Sequence, residues 1–207
     1  MDVVPVVLEG EHVRLEPLSL ERHFAALCEV GLDAELWRWT SAQVRSAEDL
    51  KRYLQTALAE QEQGTALPFA TVVRSLDRAV GSTRFGSIER GQRRVEIGWT
   101  WIGTPWQRTA VNTEAKLLML THAFEHWGCR RVELKTDALN QRSCAAIRRI
   151  GGQEEGTLRK HLVTEAGRVR DTVYFSLLDD EWPAARSRLE ERLAAGAGSR
   201  TGARPPG

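Results

Sequence analysis

The 207 residues are 42% apolar and 28% charged, the make-up of a globular chain rather than a disordered one. A formal net charge of +1 removes any electrostatic case for nucleic-acid or membrane-surface partners, and the pairs Arg93 and Arg94, Arg130 and Arg131, Arg148 and Arg149 are interleaved with acids. Three scattered cysteines with no CxxC fit free thiols in a cytoplasm, and no stretch reads as a signal peptide or membrane span.

Residues 6–8 and 13–15 read as strand material around a turn at Gly10. "SLERHFAALCEVG" is a helix opened by Ser19 and stopped by Gly31. "SAEDLKRYLQTALAEQEQG" repeats that grammar with a Ser46 cap, a Leu50, Leu54 and Leu58 stripe, and Gly64 at the end. The period then changes. "LPFATVVRS", "AVGSTRFGSIE" and "RRVEIGWTWI" are β-branched and aromatic runs split by short turns, which predicts an antiparallel meander. A helix over 113–126 follows, closed by Gly128. "RRVELKTD" is a strand, "NQRSCAAIRRIG" a helix ending before Gly151, and "GTLRKHLV" with "RVRDTVYFSLL" a hairpin across "TEAG". "EWPAARSRLEERLAA" reads as a helix with Pro183 in its first turn. The expected organisation is one domain over 1–195 and a disordered tail over 196–207, rich in Gly, Pro and Arg. The order of elements gives an α+β fold around one mixed sheet, with a parallel step where strand, helix and strand follow each other across 96–136. A sheet edge left to cover makes a homodimer an open expectation. His122 and His126 stand at i, i+4 spacing without a third ligand nearby, so no metal is expected.

The junction "TPWQRTAVNTEAKLLML" is built to offer main-chain N–H groups. A helix N-terminus has unpaired amides and a fractional positive charge, and Arg108 adds a full one. Asn112 or Thr113 is the expected cap, with Leu117, Leu118 and Leu120 anchoring the helix to the sheet. Taken alone, such a junction is usually only a junction.

Several separated motifs add to it. The loop Gln107, Arg108, Thr109, Ala110, Val111, Asn112 resembles the Q/R-x-x-G-x-G/A loop of the GNAT acetyltransferase superfamily. "TEA", "AFE", "RVELKTDALNQRS" and "EWP" are similar to its Rim-type branch of ribosomal-protein N-acetyltransferases. The likeness runs from about residue 7 to 183. It departs at Ala110, where the family has glycine, and at Asn112, where it has a small residue. The resemblance implies a GNAT-like, mostly antiparallel sheet flanked by helices, with a splay between its central strands. It implies acetyl-coenzyme A with its pyrophosphate on the amides of Gln107, Arg108, Thr109, Ala110, Val111, Asn112 and Thr113. Its pantetheine would lie along 99–102, including Trp101 and Ile102.

The resemblance also assigns chemistry. Many members protonate the leaving thiolate with a tyrosine on the helix after the fifth strand; here that slot is Ile147, which is apolar. Ser143, four residues earlier on the same face, becomes the candidate donor to sulfur, and Asn140 a candidate partner for a pantetheine amide as well as a cap. Cys144 lacks a partnered base for covalent catalysis. Glu96 is the candidate base: strict alternation sets 96, 98 and 100 on one face against apolar 95, 97, 99 and 101. Its plain alternative is a salt bridge, with Arg84 as partner. Trp37, Trp39 and Arg84 are the candidate acceptor-binding residues, with Arg159, His161 and Asp171 as further wall residues or as mutual partners. The implied function is acetyl transfer to a primary amine. A protein N-terminal α-amine or small aminoacyl compound is favoured, because an α-amine of pKa near 7.7–8.0 needs less help to lose its proton than a lysine near 10.4. An antibiotic-like small amine and a silent acyl-coenzyme A sensor are the alternatives.

Overall fold

The structure, a computed structural model, describes residues 1–198. Eight strands form one sheet in the order β1-β2-β3-β4-β5-β6-β8-β7. They are β1 (Leu8–Glu9), β2 (Val13–Pro17), β3 (Leu67–Val73), β4 (Arg78–Glu89), β5 (Arg94–Ile102), β6 (Arg131–Asp137), β7 (Gln153–Val163) and β8 (Val169–Leu178). Every neighbouring pair is antiparallel except β5 with β6, the parallel step expected across an intervening helix.

Helices cover both faces. On one side lie α1 (Leu20–Gly31), the short α2 (Ala34–Trp37) and α3 (Ala47–Glu62), around Leu27, Leu50, Leu54, Val72 and Trp101. On the other lie α4 (Ala110–Thr121), α5 (Gln141–Arg149) and α6 (Trp182–Gly198), around Phe69, Phe85, Ile97, Met119, Leu120 and Phe175. Ser19 and Ser46 cap α1 and α3 through their side chains, as read from the sequence. Gly64, Gly128 and Gly151 adopt the positive φ that ends a helix without a Cβ penalty.

Several boundaries differ from the expectation. The first strand is Leu8–Glu9 rather than 6–8, and α2 carries no sequence signal beyond its Asp33 cap. β7 begins at Gln153 because Gly156, at φ +148, lets the strand bulge and continue. α4 begins at Ala110 rather than 113: Thr109, not Asn112 or Thr113, is its cap and accepts from Val111 N at 3.3 Å. A single π turn over His122–His126 finishes that helix. α6 runs past residue 195; of the proposed tail, residues 199–207 lie outside the described residues.

Candidate active site

The sheet parts in its middle. β5 and β6 pair only over residues 94–96 and 131–133. Beyond that point β5 keeps β4 as its partner and β6 keeps β8, so two strand edges face each other across a gap. A cavity of about 690 Å³ fills the gap, walled by β5 from Glu96 to Ile102 and by Leu134, Lys135 and Thr136 of β6.

A bulge shapes the β5 wall. Ser82 pairs with Trp101 and Arg84 with Gly98, so three steps on β5 match two on β4. Trp99 takes the extra step at φ 50, a conformation rare for an aromatic residue. Its ring is received by Gly86, where a Cβ would stand 2.4 Å from the indole, and lies over the Arg84 guanidinium at 4.7 Å. The bulge breaks the alternation expected for this strand. Ile97 and Ile102 pack in the α4 core, and Trp101 packs with α1 and α3. Gly31 makes room for the Trp101 ring: a Cβ there would meet it at 2.9 Å.

One mouth of the cavity is the entry to α4. Gln107, Arg108, Thr109, Asn112 and Thr113 line it; Ala110 and Val111, also expected there, begin the helix and are not part of the wall, Val111 being packed in the core. Gln107 is tied to β5 by its amide, which donates to Ile102 O at 2.9 Å. Arg108 turns the chain at φ 61, so the left-handed residue of the loop is Arg108, while Ala110 is ordinary helix. That removes the difficulty of an alanine in the family's glycine position. Glu114 fixes this mouth to the rest of the fold. Its carboxylate accepts three amides, from Glu11, His12 and Val13, at 2.7 to 2.8 Å. Gly10 leaves the space, since a Cβ there would stand 2.4 Å from the Glu114 carboxyl carbon.

Glu96 stands where the strands part, 7% exposed. Its Oε2 accepts from Ser87 Oγ at 3.0 Å and pairs with Lys135 Nζ at 2.8 Å. Its Oε1 has no protein donor among the described residues and lies 3.1 Å from the point where a Cβ on Gly98 would be. Glycine at 98 therefore leaves an open approach to this carboxylate. The salt bridge offered as Glu96's plain alternative has Lys135 as its partner and not Arg84: Arg84 is 3% exposed, bonds Glu60 at 2.6 Å, and supports Tyr53 and Trp99 from beneath. It forms no part of the cavity wall.

Across the gap, Asn140 caps α5, its side-chain oxygen accepting from Ser143 N at 3.0 Å. Asn140, Ser143 and Ile147 all line the cavity, and the Ser143 hydroxyl has no partner among the described residues. Trp39 lines the cavity too. Trp37 is 6% exposed in the α1–α3 core, donates to Gly31 O at 2.7 Å and packs edge-on against Tyr53. His161 lines the cavity and lies 3.5 Å from the Tyr174 hydroxyl; Asp171 instead accepts from Lys160 N at 2.6 Å.

Among the wall residues that escaped the sequence reading are Lys116, Arg170 and Thr172. Lys116 is 5% exposed, and burial with no facing acid brings its pKa down to about 7. A signal for it existed, since it sits between the buried positions Ala115, Met119 and Leu120 of an otherwise apolar stripe.

The cavity wall mixes polar and apolar groups, and several of its polar side chains lack partners among the described residues. Of the five buried side-chain polar atoms without a partner among the described residues, four belong to residues of its wall: Trp101 Nε1, Asn112 Oδ1, Arg170 Nε and Thr172 Oγ1. Such atoms are costly unless a ligand or water satisfies them. Arg108, Arg142 and Arg149 bring three cations to the same wall, and the α4 N-terminus adds its amides. A long ligand with phosphates at one end and amides along its length fits this lining.

Comparison with known proteins agrees. The model of the acetyltransferase (GNAT) domain family matches residues 12–153. A GCN5-related N-acetyltransferase from Brucella melitensis superposes with a TM-score of 0.87 at 28% identity, over 95% of this chain and 91% of that one. YdaF of Bacillus subtilis strain 168, assigned as a ribosomal N-acetyltransferase, is 34% identical over 102 residues, 49% of this chain and 55% of YdaF. RimJ of Mycobacterium smegmatis, solved with CoA-disulfide, shares the fold with a TM-score of 0.75 at 24% identity, over 90% of this chain and 91% of that one. Members of the family use acetyl-coenzyme A, and the lining residues fit it. This chain belongs to the GNAT acetyltransferase family, and relatives of the Rim type are among those it resembles.

Proposed function

We propose that this protein acetylates a primary amine by direct attack on the thioester of acetyl-coenzyme A, and that the acceptor is a peptide N-terminal α-amine or a small aminoacyl compound. The observation that carries the reading is the open Oε1 of Glu96 at the point where β5 and β6 separate. An amine entering the gap meets a carboxylate there, with Ser143 and Asn140 on the opposite wall.

The coenzyme supplies an activated acyl group when bound. The amides at the start of α4, Arg108 and the β5 edge hold and aim it, which lowers the entropic part of the barrier. Glu96 accepts the proton that the attacking amine loses, directly or through water. Ser87 and Lys135 fix the carboxylate by holding its other oxygen. Ser143 donates a hydrogen bond to the departing sulfur. Nothing covalent is asked of the protein, and burial raises the Cys144 thiol away from reactivity.

The α-amine is favoured on energetic grounds. An α-amine near pKa 8 asks little of a single carboxylate base, whereas a lysine near 10.4 asks for far more. The test is release of free coenzyme A thiol with peptides bearing a free N-terminus, their N-blocked lysine-containing counterparts, and small aminoacyl compounds. Turnover with the free N-termini or aminoacyl compounds is the expected result. Binding of acetyl-coenzyme A without turnover of any amine would instead mark an acyl-coenzyme A sensor.

A further inference from the structure

Arg170 is a buried cation whose one paired acid among the described residues, Asp137, is shared with Arg168. It stands on β8 two residues beyond Thr172, the partner of the last residue of β6, and it faces the cavity at 9% exposure. Its Nε has no acceptor among the described residues. Its ion pair with Asp137 Oδ2 spans 3.8 Å, too long for a hydrogen bond. That carboxylate is already committed: Arg168 Nη2 bonds the same oxygen, and Leu139 N donates to Oδ1 at 2.9 Å. One buried acid thus serves two guanidinium groups. Lys135 does not add to the surplus, being matched by Glu96 at 2.8 Å.

Thr172 is the next residue on the same face of β8. It is 1% exposed, lines the same cavity, and its hydroxyl also lacks a partner. Glu96 lines the same cavity, so the guanidinium and the open carboxylate share one chamber. An uncompensated charge in a low-dielectric site is paid for by a ligand or not kept.

We propose that Arg170 and Thr172 form a carboxylate-binding subsite, and that the acceptor is an amine bearing a carboxylate within a few bonds of its nitrogen. This rests on the acetyl-transfer reading above and narrows its acceptor. The planar guanidinium fork matches a carboxylate through two parallel hydrogen bonds, and the threonine hydroxyl supplies a further donor. One surplus positive charge matches one carboxylate better than the nearly doubly charged phosphate of a phosphomonoester. Two sources share this chemistry: an acidic side chain near a peptide N-terminus, and the α-carboxylate of a free amino acid.

The test is calorimetry on the full chain saturated with coenzyme A, using acetylated products as probes so that no turnover is needed. N-acetyl-Ala-Asp-Ala amide is compared with N-acetyl-Ala-Asn-Ala amide, and N-acetylalanine with its amide. The acid of at least one pair is expected to bind about tenfold to a hundredfold more tightly than its amide, the size of a charge-assisted hydrogen bond. The pair that shows it identifies the source. Arg170→Met abolishes the preference and Arg170→Lys keeps part of it. Equal binding of acid and amide in both pairs overturns the inference, whether or not the enzyme acetylates amines. A preference that appears with no turnover of any amine strikes the acetyl-transfer reading alone. The wild-type comparison stands even if Arg170→Met fails to fold.

Discussion

The Nζ of Lys116 lies 2.6 Å from the hydroxyl of Thr100, the residue that follows the bulge in β5. It lies 3.1 Å from Thr83 on β4, and the two hydroxyls are 2.8 Å apart. A buried amine on α4 thus ties together the two strands that frame the bulge. No acid faces it, and burial alone holds its pKa near 7.

That placement gives a pH dependence of known sign. The unfolded lysine keeps its proton up to about 10.5, and the folded one loses it near 7. Between these values the unfolded state binds more protons, so stability rises with pH across that window. Below pH 7 both states are protonated and the full cost is present, about 4 to 5 kcal/mol from the two values. Lys116→Met is expected to be more stable than the parent at pH 6 by about 2 kcal/mol or more, since the two threonines still satisfy each other. It should also lack the rise between pH 7 and 10. Urea denaturation across pH 6–10 checks both.

Glu96→Gln keeps the shape of the chamber and removes the base. Turnover is expected to fall by about 10²–10⁴ while the affinity for coenzyme A stays level. Gly98→Val should imitate this by covering Oε1. Steady-state rates paired with calorimetry separate these effects from loss of the binding site.

Ser143→Ala removes a hydroxyl but leaves the cap of α5 in place, because the cap uses the Ser143 main-chain N–H. A turnover loss of about 10²-fold or more is expected, within the range for a proton donor, with unchanged coenzyme A affinity and unchanged stability. Pre-steady-state release of thiol measures it.

Glu114→Ala strips the acceptor from three amides at once, one of them buried. A loss of about 3 kcal/mol or more is expected, since hydrogen bonds to a charged group are worth about 1.5–3 kcal/mol each and do not add fully. In a chain of this length that lowers Tm by roughly 6–12 °C. Weaker coenzyme A binding should accompany it, as the α4 entry loosens. Differential scanning calorimetry with and without coenzyme A measures both.

What was legible in the sequence follows from what is local. Ser19 and Ser46 cap their helices because a hydroxyl and an N–H three residues on suffice, and Gly64, Gly128 and Gly151 end theirs by backbone freedom alone. The position of Glu96 at the splay and of Ser143 on the opposite wall followed from motif order. The misplaced start of α4 came from reading Asn112 as a cap when Thr109 already filled that role. The bulge at Trp99 was beyond local reading, because it depends on the space left by Gly86 and on the Arg84 plane beneath. Arg84 itself was misjudged for the same reason: its Glu60 partner comes from α3, 24 residues away in the chain. Lys116, Arg170 and Thr172 look like surface residues by type, and only the packing of α4 and β8 against the gap reveals them.

The central claim is tested most directly by incubating the protein with acetyl-coenzyme A and a peptide that carries both a free N-terminus and a lysine, then locating the acetyl group by fragmentation mass spectrometry. The account predicts acetylation of the α-nitrogen, lost in Glu96→Gln. Acetyl groups on the lysine side chain with the α-amine left free, or full activity in Glu96→Gln, would contradict it.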